Sequence, residues 1–282
     1  MSEKGQRTGR PPQLDEWDLV FLNYLLHQKT TGTTAEVREL IQRECGIEDS
    51  PAQGIRILRE RLGMHFSKPF PRDYRRPPDA EERLKADLHQ GCMILKEPQI
   101  TKDDIALGFR DETSPQNRAN TVRVWSFEAS PVVDKNTTHF KSNTIGFYAI
   151  QGVSVQAFLA NSKDDAMVDF LKQIKVANSA AKAIVIMLDN YSSPLAAKVK
   201  ERAQELGIYL IHLPPYSPDL NPIEYIGKSI KRIISREFVD TLDEMKRKIA
   251  EGWKTLSGRR SFAKHWISEF LETEPYYNDL CV

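Results

Sequence analysis

The amino-acid sequence predicts an α/β protein in which a small all-α domain precedes a mixed-sheet domain flanked by helices. Two observations carry this. From 14 to 63, apolar residues recur at helical spacing in three short runs. Further on, two strands joined as a hairpin give way to strands that alternate with helices, the pattern of a mixed sheet covered on its faces. The chain has 282 residues, with 40% hydrophobic and 28% charged positions, enough for one or two globular domains with a sizeable core.

The first run places Trp17, Val20, Phe21, Tyr24 and Leu25 along one helix. The second is marked by Val37, Leu40 and Ile41, and the third by Ile55, Leu58 and Leu62 turned inward. Gly32 with Thr33-Thr34, and Gly46 with Ser50-Pro51, separate them. Ser50 is a good N-cap because Pro51 gives up no useful N–H at the first helical position, and Gln53 falls where a capping box needs it. Arg56, Arg59 and Arg61 lie on the other faces of the third helix, and Lys68, Arg72, Arg75 and Arg76 follow. That pattern suits a recognition helix with a basic arm, although a structural three-helix cap has the same apolar periodicity.

Residues 69–80, PFPRDYRRPPDA, contain four prolines and three arginines and read as an extended linker. A helix is expected over 79–96, then strands at 105–109, 121–127 and 145–158, the last a hairpin closed by Gln151-Gly152. A helix at 164–175, a buried strand at 183–188, a helix at 193–206 and a strand at 208–212 complete the alternation.

Several classes of protein are excluded or disfavoured. The longest wholly apolar run, Ala183 to Leu188, is six residues, far below the roughly 20 of a membrane-spanning helix, and the N-terminal segment has no apolar core of a signal peptide. Cys45, Cys92 and Cys281 show no disulfide or zinc spacing, which predicts a reducing, cytoplasmic setting. No phosphate-loop motif supports an ATPase. The net charge of +1 hides an uneven distribution: residues 50–76 carry net +5, residues 225–264 net +6, and the remainder −10. Two basic blocks on an acidic chain are compatible with nucleic acid met at two places, or with two solvated helix faces.

Three carboxylates stand where open α/β sheets gather function, at the carboxyl ends of strands. Asp111 follows IALGF after one residue, and Asp189 directly follows AIVIML. Glu224 opens the helix after LPPYSPDLNP, a connection stiffened by Pro214, Pro215, Pro218 and Pro222. Such a set suits Mg²⁺, a hard cation that takes few carboxylates and keeps its waters, and a pair of such ions suits phosphodiester chemistry. The plainer alternatives are that Glu224 completes a capping box begun at Asn221 and that Asp111 and Asp189 are turn residues. At about 100° per residue, Glu224 shares a helix face with Lys228, Lys231, Arg232 and Arg236, opposite Ile226, Ile230, Ile233 and Ile234.

Leu188-Asp189-Asn190 followed by LPPYSPDLNPIE at 213–224 resembles the signature of the mariner-type superfamily of cut-and-paste transposases, in particular its prokaryotic insertion-sequence branch. Asp189 and Glu224 enclose 34 residues, the separation of one large group in that superfamily, and Asp111-Glu112 after a strand resembles its first catalytic aspartate. The setting GFRDETSPQN departs from the commoner apolar-strand form, so Glu112, Asp134 and Asp104 are alternatives. The resemblance covers about residues 9–260. It implies an RNase H-like mixed-sheet catalytic domain preceded by a small all-α helix-turn-helix domain, with Asp111, Asp189 and Glu224 catalytic and metal-binding.

The expected division is 1–13 as a Gly-Arg-Pro arm containing Arg10, 14–68 as the helix-turn-helix domain and 69–100 as linker and helix. It continues with 101–264 as the catalytic domain and 265–282 as an acidic tail. Two Mg²⁺ ions, replaceable by Mn²⁺, would serve hydrolysis at transposon ends and joining of the freed 3′-hydroxyl to target DNA, usually at TA. The implied partners are double-stranded DNA and a second copy in a homodimer, with a nucleoid location and no membrane. An RNase H-like nuclease or resolvase, and a non-catalytic DNA-binding remnant, are the competing readings. Relatives often carry two helix-turn-helix units around the Gly-Arg-Pro linker, and only the second fits here, so an upstream unit is expected to be missing or encoded in another frame.

Overall fold

The computed structural model describes residues 14–28, 33–48, 50–66, 72–92, 100, 104–118, 132, 134–159, 163–189 and 195–271. The chain divides into two compact units, Met1–Pro71 and Arg72–Val282.

In the first unit, helices α1 (Glu16–Gln28), α2 (Thr34–Cys45) and α3 (Pro51–Arg56) enclose a core of Leu14, Leu22, Leu26, Val37, Leu40, Ile41 and Ile57. Caps set the boundaries. Thr33 and Glu36 form a complete capping box on α2, Gly46 ends it at φ 68°, and the Ser50 hydroxyl accepts the Gln53 N–H at 3.2 Å. The helix begun at Pro51 loosens into a π-helical stretch over Ile57–Arg61.

Two inward faces differ from expectation. Trp17, Val20, Phe21 and Tyr24 are exposed, Trp17 by 81%, while Leu22 and Leu26 are buried. Because α1 is apolar nearly all round, periodicity offered two stripes, and the leucine stripe is the one that packs. In the third helix Ile57 is buried and Ile55 is exposed. Gly54 is turned toward α2, where a Cβ would stand 3.0 Å from Arg38 Cγ, and this close approach fixes the rotation of the helix.

The second unit is built on five strands in the order β3-β2-β1-β4-β5: β1 (Ile105–Thr113), β2 (Thr144–Gln151), β3 (Val155–Phe158), β4 (Ala183–Leu188) and β5 (Ile208–His212). β2 runs antiparallel to β1 and β3, and β4 runs parallel to β1 and β5. Both faces of β1 and β4 are buried, which explains their continuous apolar runs. On one face Leu107, Phe109, Tyr148, Val185 and Met187 pack with α4 (Ala80–Cys92), α7 (Ile223–Arg236), α8 (Leu242–Ser257) and α9 (Lys264–Phe270). On the other, Ala106, Phe147, Ile184 and Ile186 pack with α5 (Lys163–Ala177) and α6 (Leu195–Glu205).

Three boundaries are corrected. The stretch from Arg72 is not a linker but part of the second unit, because Ala80, Leu84 and Leu88 of α4 are core residues. The expected acidic tail contains α9, whose Trp266 meets Phe109 edge-on at 4.7 Å. The hairpin connection is 152–154 rather than Gln151-Gly152: Gly152 has φ 100°, and Asn178 clasps Val153 by accepting its N–H at 2.7 Å and donating to its carbonyl at 3.1 Å. The strand expected at 121–127 lies outside the described residues.

Gly146 on β2 is sterically required. A Cβ there would lie 2.3 Å from the Trp253 ring, so Gly146→Ala is expected to destabilise the protein by about 1–3 kcal/mol in urea denaturation, the usual cost of overpacking.

Candidate active site

Parallel pairing of β1 with β4 sets the geometry. Arg110 stands opposite Leu188, so Asp111, one residue on, and Asp189, the first residue past β4, emerge side by side at the carboxyl end of the sheet. The Leu213 N–H donates to the Leu188 carbonyl at 2.8 Å, so the loop after β5 begins beside Asp189. That loop descends through Pro214, Pro215 and a 3₁₀ turn at Pro218–Leu220, anchors Leu220 and Ile223 in the core, and presents Glu224 in the first turn of α7. The capping-box alternative fails: Pro222 occupies the N-cap and no side chain caps the helix. Glu224 instead lies 3.5 Å from Lys228.

Both aspartates feel the charge of Glu224. Burial, then the charges of Glu224 and Asp189, push the Asp111 carboxyl up from 3.8 to about 7, against the opposing influence of the Glu112 N–H, which donates to Asp111 Oδ1 at 2.7 Å, and of Arg110. Asp189 is open to solvent on one side and crowded by protein on the other. Its pKa is raised by that crowding and then by Glu224, and restrained by Arg110 and Asn221. Hard oxygen donors that repel one another are the donor chemistry a divalent cation neutralises. Among the described residues, however, no three His, Cys, Asp or Glu side chains are drawn tightly enough to enclose an ion.

A clamp holds the loop from outside. Arg76 is buried, with Nη2 donating to Asp219 at 2.9 Å and to Glu81 at 3.1 Å. Arg75 is held by Asp73 through bonds of 3.0 and 2.8 Å and lies 4.0 Å over the ring of Tyr216. Tyr216 is the one non-glycine among the described residues with positive φ, 57°, so the clamp sits on the most constrained turn of the loop.

These contacts revise part of the expected DNA-binding set. Arg76 is spent inside the fold on two carboxylates and is not part of an outward basic arm. Arg72 and Arg75 keep exposed side chains, at 3.9 Å from Glu81 and bound to Asp73 respectively. Lys228, Lys231, Arg232 and Arg236 are exposed on α7 opposite buried Ile226, Ile230 and Ile234. Arg56, Arg59 and Arg61 are exposed on the first unit, whereas Arg10 and Lys68 lie outside the described residues. Of the alternatives to Asp111, Asp104 sits at the opposite end of β1 paired to Lys182 at 3.0 Å, Glu112 pairs with Arg110, and Asp134 is exposed and belongs to no strand or helix.

Two residues near the carboxylates were not anticipated. Arg110 is 3% exposed and its charge acts on both aspartates. An arginine ending an otherwise apolar buried strand was the available signal. Asn221 is fully buried, and its carboxamide is near enough to Asp189 to lower its pKa without reaching normal hydrogen-bond geometry.

A sheet of this order with antiparallel β2, and acidic side chains at the ends of β1 and β4 and on a following helix, defines an RNase H-like domain. Residues 106–246 match the family described as DDE superfamily endonuclease, and the chain belongs to it. Among solved structures it is similar to the Mos1 mariner paired-end complex with Mn, at TM-score 0.59 and 16% identity over 99% of this chain and 81% of that one. It is likewise similar to a pre-cleavage Mos1 transpososome, at 0.58 and 14% over 99% and 81%, and to the Mos1 strand transfer complex, at 0.55 and 16% over 95% and 82%. At these identities the likeness is one of fold. A comparison with curated protein sequences returned no match.

Two outcomes test the site. Asp111 is harder to ionise folded than unfolded, so its contribution to stability is present below pH 4 and lost as pH rises through about 7. In chelator, Asp111→Asn is therefore expected to gain on the native chain across that interval, by about 2–4 kcal/mol at its upper end, in melting curves taken at successive pH values. Arg76→Ala is expected to cost about 1–3 kcal/mol in urea denaturation, less than a fully buried pair because Glu81 and Asp219 can rehydrate.

Proposed function

We infer that the protein is a DNA transposase of an insertion sequence, cutting transposon ends by phosphodiester hydrolysis and joining the 3′-hydroxyl ends to target DNA at TA. The observation that carries this is the placement of Asp111 and Asp189 side by side at the carboxyl edge of an RNase H-like sheet, with Glu224 near enough for its charge to act on both, in a DDE-family chain. Asp111, Asp189 and Glu224 would hold two Mg²⁺ ions, with Mn²⁺ a substitute, the aspartates as shared ligands. Bound there, the ions supply activation of the attacking oxygen and charge neutralisation at the leaving oxygen.

The protein's own residues do the rest. Arg110 lowers the cost of keeping Asp111 and Asp189 ionised together. The clamped proline loop fixes the approach of Glu224. Lys228, Lys231 and Arg232 offer phosphate contacts on the Glu224 face of α7, and Arg56, Arg59 and Arg61 make the third helix of the first unit the reader of the transposon end, with residues 14–68 as a helix-turn-helix domain. The active complex is a homodimer that pairs two ends. No helix among the described residues is long and apolar enough to cross a membrane.

Uncleaved and pre-cleaved end DNA, each incubated with Mg²⁺ or Mn²⁺ and a target duplex, test this. Joined product is expected from the native chain. Asp189→Ala and Glu224→Gln should each lose more than the roughly 10- to 100-fold that removal of an outer partner of a metal site costs. Undiminished cleavage by either variant would eliminate the site, and cleavage without joining would make the protein a nuclease.

A further inference from the structure

Helix α1 puts Leu22 and Leu26 into the core of the first unit and turns a larger apolar face to water. On that face Trp17, Val20, Phe21 and Tyr24 are 81%, 64%, 45% and 62% exposed. At about 100° per residue the four fall within one narrow sector opposite the leucines, at the i, i+3, i+4 and i+7 spacing of a packing seam. A helix with two seams is built to be packed on two sides.

Charge and area decide what fits the second one. α1 carries Glu16 and Asp18 in its first turn, His27 in its last, and no Lys or Arg. A phosphate backbone or an anionic lipid surface needs cations that this helix lacks, and the arginines proposed to read DNA are on the third helix. An aromatic side chain offers about 150–250 Å², so at these exposures Trp17, Phe21 and Tyr24 leave roughly 300–450 Å² in water before Val20 is counted. That one helix face matches the largest apolar patch of a typical monomer. Two such faces laid together, with Val20 and the flanking polar residues, withdraw about 1,000 Å², the threshold of a specific interface.

The seam is also its own complement. Around a two-fold axis between Val20 and Phe21, an antiparallel copy sets Trp17 against the partner's Tyr24 and Val20 against the partner's Phe21. Glu16 and His27 lie on one flank of the seam, so the same arrangement brings Glu16 near the partner's His27. Antiparallel helix dipoles attract, whereas a parallel copy would bring two acidic first turns together.

We propose that the exposed face of α1 is a self-association surface, packed antiparallel against the same face of a second copy of this chain. The need for a second copy rests on the homodimer proposed above; the surface and the orientation do not.

Sedimentation velocity of the full chain tests the surface. The native chain is expected to pass from monomer to dimer with a Kd on the order of 10 μM, the strength of an interface at the lower size limit. Val20→Glu lies outside the core, so its melting temperature is expected to be unchanged, while an uncompensated carboxylate in each half of the seam weakens association more than about 100-fold. Val20→Cys, beside the axis, is expected to give a covalent dimer under copper phenanthroline, above the background of native Cys45, Cys92 and Cys281. Trp17→Cys is not, because antiparallel packing holds it roughly 10 Å along the helix from its copy.

A native chain that stays monomeric at twenty times the expected Kd overturns the proposal. A dimer that Val20→Glu leaves intact is joined elsewhere, which overturns the surface while the homodimer stands. A lower melting temperature at unchanged mass means that another part of the same chain covers the face, and a loss of end-DNA binding at unchanged association makes it a DNA surface; either result overturns the proposal. A covalent dimer from Trp17→Cys overturns the orientation. Asp189→Ala is expected to remain dimeric while losing cleavage, which separates this proposal from the previous one.

Discussion

Carboxylates that must stand together repel one another, and most of the second unit can be understood as what it takes to hold them. The β1–β4 register brings Asp111 and Asp189 side by side and leaves neither free to retreat, because both strands are buried on two faces. Glu224 arrives from a separate element, along a loop whose prolines and 3₁₀ turn remove most of its freedom. Arg110, enclosed next to Asp111, offsets part of the repulsion. What remains unbalanced shows as an aspartate near neutrality. A site poised in this way gains from any bound cation.

The parts of this arrangement that a sequence shows are those that depend on local pattern. β4 and β5 could be placed to the residue because a continuous apolar run ended by a charge, or a short run after a helix, has few alternatives. Asp189 and Glu224 could be located because the stiff proline segment between them has a distinctive composition. What could not be seen depends on partners remote in the chain. Arg76 reads as one more arginine in a basic stretch until Asp219, 143 positions away, is found against it. The outward face of α1 was hidden for a different reason: a helix apolar on all sides carries no information about which side is packed. The alternative that made Asn221 a helix cap is a local role, whereas its buried carboxamide lies close to Asp189.

The basic blocks behave in the same way. A single sum of charge over 225–264 treats eleven cations as one feature. Folding separates them: Lys228, Lys231 and Arg232 line the exposed face that begins at Glu224, whereas Lys254 and Arg260 sit at the far end of α8 against the hairpin. In 50–76 the fold does the reverse, keeping Arg56, Arg59 and Arg61 in solvent and withdrawing Arg76 into the interior. Net charge by segment therefore locates basic residues but not the surfaces they make.

The indole of Trp253 fills the place that a side chain at position 146 would take. The two positions are one steric unit shared between strand and helix: while α8 carries the indole, position 146 has no room for a side chain, and a bulkier residue on β2 requires a smaller one on α8.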